Sequence, residues 1–143
     1  MKSRKIAVLL TCFNRREKTL ACLQSFFEAN KPVEYTFDVY LVDDGSTDGT
    51  SEAVNENYPD VEVIKGNGNL FWAGGMRLAW KTALECKNYD AFLLLNDDVV
   101  LFNDFIDNLL KAEDYSLFKN KKTGLYSGST IDNRTNKTTY GGY

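Results

Sequence analysis

A chain of 143 residues with 43% hydrophobic content has apolar material for one core and hardly for two. A formal net charge of −3 points away from a nucleic-acid-binding surface, and the apolar runs are far too short to span a membrane, with no charged-then-apolar leader ahead of them. The absence of histidine removes Ser-His-Asp and Cys-His catalysis and disfavours zinc, leaving carboxylates, hydroxyls, Lys and Arg for any chemistry. Cys12, Cys22 and Cys86 are an odd set and read as reduced, buried small residues of a cytoplasmic protein.

Strands and helices alternate along the chain. Residues 6–10 form a buried apolar run with Asn14 after it as a helix cap; Leu20, Leu23, Phe26 and Phe27 then recur at helical spacing until Lys31-Pro32. A second strand over 37–42 leads into Asp43-Asp44-Gly45-Ser46-Thr47-Asp48-Gly49-Thr50, a turn rich in residues that tolerate tight backbone geometry. A short helix over 51–57, capped by Asp48, and a strand over 61–64 follow. The glycine-rich stretch 66–75 separates that strand from the clearest helix. There Met76, Ala79, Trp80, Ala83 and Leu84 make one apolar stripe and read as core. Residues 91–95 make a fourth strand, Phe105, Ile106, Leu109 and Leu110 mark another helix, and 119–122 form a lysine-rich turn. A hairpin, 125–131 against 138–140, closes around 132–136.

This alternation predicts an α/β fold, a mostly parallel sheet with helices on both faces. Ligands of such sheets bind beyond the carboxyl ends of the strands, where Asn14, Asp43-Asp44, Asn67 and Asp97-Asp98 all fall. Two acidic pairs at the ends of core strands repel internally unless something cationic neutralises them. A divalent metal with a polar ligand meets that need.

Thr11-Cys12-Phe13-Asn14-Arg15 contains no glycine, so the dinucleotide fingerprint and the phosphate-cradling loop are absent after the first strand. That segment, the run from Val42 to Thr50, and Leu95-Asn96-Asp97-Asp98-Val99 together resemble family 2 glycosyltransferases. The stretch 66–75 looks most like the branch containing rhamnosyltransferases. The resemblance implies the GT-A nucleotide-sugar-binding fold and transfer of a sugar from a nucleotide-diphosphate donor to a hydroxyl of a glycan or lipid-linked acceptor, with inversion. It makes Asp98 the ligand of Mn²⁺ or Mg²⁺, orients Asp97 to the ribose or sugar, and gives Asp44 the nucleotide base. Thr11 and Phe13 fall where the family packs and contacts the base, Asn14 counts with them among the nucleotide-sugar-binding residues, and Arg77 falls one residue past the place of an arginine that touches the diphosphate. Hard oxygen ligands suit either ion. Family members usually continue into an acceptor-binding half that carries the catalytic base. Residues 1–143 therefore read as a single donor-binding domain, truncated at its C-terminal side, with no base to name and with peripheral attachment to the inner face of a membrane left open.

Simpler readings compete with each of these roles. An isolated acidic pair is more often a solvated turn or helix cap; Phe13 fits a core position equally well; Phe71 and Trp72 read as packing residues. At the level of function, the rivals are a non-catalytic nucleotide-sugar-binding module and a phosphorylated receiver domain. The latter needs its acidic pair after the first strand, where this chain has Thr11 to Asn14.

Overall fold

The computed structural model describes residues 3–140. They form two compact units, the first made of residues up to Glu28 together with Pro32–Leu101, the second of Ala29–Lys31 and the residues from Phe102 onward.

In the first unit, β1 (Arg4–Cys12), β2 (Tyr35–Asp43), β3 (Glu62–Lys65) and β4 (Ala91–Leu94) make one parallel sheet in the order β3-β2-β1-β4. Helices α1 (Arg16–Glu28), α2 (Thr50–Asn57) and α3 (Phe71–Cys86) are the successive crossovers that parallel pairing requires. β1 lies in the middle, and every residue from Ile6 to Cys12 is buried. A strand covered on both faces has no polar side, which is why this segment reads as an unbroken apolar run.

On one face Ala7, Leu9, Tyr40 and Val42 pack against Met76, Ala79 and Ala83 of α3. Ile6 is paired with Phe37, and Phe37 meets Phe26 of α1 edge-on at 5.9 Å. Phe27 stacks on Tyr58, just past α2, at 5.1 Å. Helices thus cover both faces, as expected.

Several local expectations need correction. Asn14 does not cap α1: its backbone is left-handed (φ 49°), and the α1 amide of Arg16 donates to Asp48 from the neighbouring loop, 3.0 Å away. Asp48 also accepts from the amide and hydroxyl of Thr50, so one carboxylate serves the starts of α1 and α2. The glycine-rich stretch is not all loop, because α3 already begins at Phe71. Trp80 and Leu84, expected in the core, are 40% and 59% exposed; the buried stripe is Gly75, Met76, Ala79 and Ala83. Small residues at 75, 79 and 83 bring the helix close to the sheet, turning the larger side chains outward. Cys86 is exposed, unlike Cys12 and Cys22.

The second unit holds α4 (Phe105–Asn120) and an antiparallel pair, β5 (Thr130–Asp132) with β6 (Lys137–Tyr140). The lysine-rich segment is a helix end, not a free turn: Lys119 is in the last turn of α4, and Lys121 is its left-handed C-cap. The hairpin exists, turned by Asp132, which accepts the amides of Arg134 and Thr135. Its first arm is short, and Leu125 is fully exposed instead of lying in a strand. The aromatic-containing end of the chain, 141–143, lies outside the described residues.

Candidate functional site

The carboxyl ends of β2 and β4 carry the acidic pairs, and the end of β1 between them carries Phe13, Asn14 and Arg15. The sheet reverses its order between β1 and β4, and a crevice opens at such a switch point in doubly wound folds. Loops from opposite sides meet there.

Asp44 is buried and accepts three backbone amides, from Gly68 at 2.8 Å, Leu70 at 2.9 Å and Phe71 at 3.0 Å. Phe71 is left-handed (φ 54°), a costly state for a bulky side chain that its bond to Asp44 helps to hold. Space enforces glycine nearby: a Cβ on Gly66 would stand 2.6 Å from Oδ1 and 2.9 Å from Cα of Asp44. Asp43 accepts from the Ser46 amide at 2.8 Å and from the Ser51 hydroxyl. Asn14 ties the β1 loop to this turn, accepting the Thr47 amide at 2.7 Å while its own amide donates to Ser46.

The second pair is neutralised differently. Nη1 of Arg15 lies 3.3 Å from Asp97 Oδ1 and 3.1 Å from Asp98 Oδ2. The Thr19 hydroxyl donates to the other oxygen of Asp97 at 3.2 Å. Burial pushes the Asp97 carboxyl above its ordinary range, against the opposing pull of Arg15 and Thr19. The same acidic surroundings, after burial itself, push the Cys12 thiol far up and the Cys22 thiol up to about 12. Neither thiol supplies a nucleophile.

The residues anticipated for the site do not all converge. Thr11 is buried against α3, where a Cβ on Gly75 would come to 2.1 Å from its Oγ1, so the hydroxyl is spent on packing against that helix. Phe13 is 54% exposed, which removes the core reading. Phe71 and Trp72 are exposed as well, correcting their assignment as packing residues; the Trp72 indole donates to Asn96, the residue before Asp97, at 3.0 Å. Arg77 lies exposed on α3 beside Trp72, Trp80 and Leu94, lining an open groove of about 660 Å³. The cation placed on Asp97 and Asp98 is Arg15. Sequence reasoning missed it, although a basic residue directly beyond β1 had the right position in the order of elements.

Could Asp97 and Asp98 hold a divalent ion? Among the described residues no three His, Cys, Asp or Glu side chains gather as a metal cage. Mg²⁺ and similar ions are commonly held by one or two carboxylates, with phosphate oxygens and water completing the shell. The Asp98 side chain is 39% exposed and open to such a shell, and the pair already attracts a cation. The donor set fits.

Comparison with known proteins bears on this site. The profile described as Glycosyl transferase family 2 matches residues 7–116. A curated relative, the hyaluronan synthase of Pasteurella multocida, is 28% identical over 126 residues, covering 82% of this chain and 12% of its own length. Among solved structures, S. aureus TarS 1-349 in complex with UDP-GlcNAc superposes with a TM-score of 0.64 at 21% identity, over 78% of this chain and 31% of that one. The mannosyltransferase PcManGT of Pyrobaculum calidifontis, in complex with GDP-Man and Mn²⁺, gives 0.60 at 23% identity over 78% and 32%. This chain therefore spans about a third of those structures and much less of the synthase. The structural likeness is one of fold, GT-A. The profile match extends over most of the sequence, from β1 into α4, and on that ground this chain belongs to glycosyltransferase family 2.

Proposed function

We propose that residues 1–143 form the donor-binding part of an enzyme that moves a sugar from a nucleotide diphosphate to an acceptor hydroxyl with inversion, using Mn²⁺ or Mg²⁺. The observation that carries this reading is that the β1 loop joins both acidic pairs at the carboxyl edge of the sheet, Asn14 to the turn after β2 and Arg15 to Asp97 and Asp98, in a chain of this family. The solved neighbours hold UDP-GlcNAc in one case and GDP-Man with Mn²⁺ in another, which supports the class of donor.

Asp98 would hold the ion and Asp97 would orient the ribose or sugar. When bound, the ion supplies positive charge that stabilises the leaving diphosphate. Asp44 faces the base, and part of its accepting capacity is already spent on Gly68, Leu70 and Phe71, so its first task is to set the shape of the loop. Buried Thr11 sets the end of β1 against α3, while exposed Phe13 offers a ring face to the base, and Asn14 holds the two loops together. Arg77 reaches the diphosphate only if the donor extends over α3. No residue here is assigned as the base that takes the acceptor proton.

The acceptor is a glycan or a lipid-linked sugar in this reading, placing the enzyme in polysaccharide biosynthesis. No helix among the described residues is long and apolar enough to cross a membrane. Three free cysteines are consistent with the reducing cytoplasm. A receiver domain loses its basis, because no acidic pair follows β1. Thermal unfolding with UDP- and GDP-linked sugars, with and without Mn²⁺, tests the proposal, since a ligand of the folded state raises Tm. A Tm raised by a nucleotide sugar only when Mn²⁺ is present is the expected result; no rise with any donor would overturn it.

A further inference from the structure

We propose that Arg15 is an exchangeable counter-cation of the acidic pair: it neutralises Asp97 and Asp98 in the empty site, yields that place to a divalent ion, and then pairs with the donor's diphosphate. The inference rests on the reading of Asp97 and Asp98 as the metal-holding pair.

Three observations carry it. First, a single nitrogen, Nη1, serves both carboxylates, at 3.3 Å and 3.1 Å. This is not the two-pronged fork that makes arginine–carboxylate pairs strong. Second, the guanidinium side chain is 49% exposed, so it can leave the pair without breaking the core and find other anions in solution. Third, Asp97 is buried and keeps the Thr19 hydroxyl as a partner in any case, whereas among the described residues the Asp98 carboxylate is held by Arg15. Asp98 is therefore the carboxylate that the departure of Arg15 uncovers. A buried carboxylate next to another needs positive charge nearby. Arginine and a divalent ion both supply it, and their mutual repulsion makes the two occupancies exclusive.

A freed guanidinium beside the ion matches phosphate oxygens in geometry and charge. Arg15 is thus a positioning residue with two opposed effects: it should weaken ion binding in the absence of nucleotide and strengthen diphosphate binding in its presence. A merely structural arginine would do neither.

The test uses the 143-residue chain, with free Mn²⁺ followed by electron paramagnetic resonance and UDP or GDP binding by calorimetry in saturating Mn²⁺. Arg15→Gln should bind Mn²⁺ alone roughly threefold to tenfold more tightly than the wild type, the scale of a half-exposed charge-assisted pair. The same variant should bind the nucleoside diphosphate about tenfold more weakly. Arg15→Lys covers the event that the glutamine variant does not fold. It keeps the charge without the fork, so its Mn²⁺ affinity should stay within about twofold while diphosphate binding still falls. Unchanged or weaker Mn²⁺ binding by Arg15→Gln, or unchanged diphosphate binding by both variants, overturns the inference. Asp98→Ala separates this from failure of the underlying reading: if that variant binds Mn²⁺ as the wild type does, the pair is not the metal site, and the role of Arg15 falls with it.

Discussion

The pairs Asp43-Asp44 and Asp97-Asp98 look alike in sequence, each following a core strand, yet the fold neutralises them by different means. Asp43 and Asp44 are satisfied by backbone amides and a serine hydroxyl from their own turn and the glycine-rich stretch. Asp97 and Asp98 are satisfied by the Arg15 side chain and Thr19. Amides fixed by the main chain cannot leave without unfolding a loop, whereas a half-exposed arginine can. The first pair is fixed by the loop around it; the second is held by a side chain that can move.

Mutations can break that comparison, and the most severe expected effect is on the second pair. Asp98→Ala should abolish Mn²⁺-dependent binding of nucleoside diphosphates while changing the unfolding free energy by no more than about 0.5 kcal/mol, as is usual for a partly exposed ion pair. Calorimetric titration and urea unfolding on one preparation read both numbers. Retained Mn²⁺ dependence would show that the second pair is not the exchangeable one.

Asp44→Ala should do the reverse, costing about 3 kcal/mol because three amides lose a charged acceptor in a buried setting. A loss as small as that of Asp98→Ala would place both pairs in the same class. Gly66→Ala attacks the same loop through space instead of charge. Its Cβ would meet the Asp44 backbone at 2.9 Å, and an overpacking cost of roughly 2 kcal/mol is expected in urea unfolding. Stability equal to the wild type would mean that the loop is not held against Asp44 in solution.

The smallest effects are in titration, where the two loops should move in opposite directions. The Thr50 hydroxyl and the Arg16 amide hold Asp48, in the first loop, below the usual carboxylate range. Its contribution to stability is present above the unfolded value of about 3.9 and is lost as pH falls through the folded value. Burial holds Asp97 above its usual range. Its effect has the other sign: the folded state binds the extra proton, and stability is lost as pH rises from about 3.9 through the raised value. Carboxyl carbon resonances followed from pH 2 to 8 resolve the two, and shifts in the same direction would remove this distinction between the loops.

Much of this was legible in the residues. The apolar segment of β1, and that of β2 beyond Asp38, announced a sheet buried on both faces, because no polar alternation interrupts them there, and their order with the helices implied parallel strands. The acidic pairs and the turn after β2 pointed to the carboxyl edge of the sheet, because like charges at the ends of core strands need neutralising partners. Periodicity misjudged α3, however. A hydrophobic stripe says which side chains share a helix face, not how near that helix approaches the sheet. Gly75 against Thr11, with Ala79 and Ala83, sets a close approach that leaves Trp80 and Leu84 outside. Capping failed for a related reason: Asn14 and Asp48 are both good caps, but Asp48 reaches the start of α1 from another loop, a contact across 32 positions that local rules do not contain.

What the sequence determined by itself was therefore local and periodic: strand and helix identity, the α/β class, the carboxylates available, and a family resemblance carried by three short motifs. Tertiary structure alone decided which partner each carboxylate received. Asp44 is joined to residues 24 to 27 positions away, and Arg15 to residues 82 and 83 positions away. Charge neutralisation depends on distances of a few ångström, and only the sheet order that places β1 between β2 and β4 brings those groups within reach.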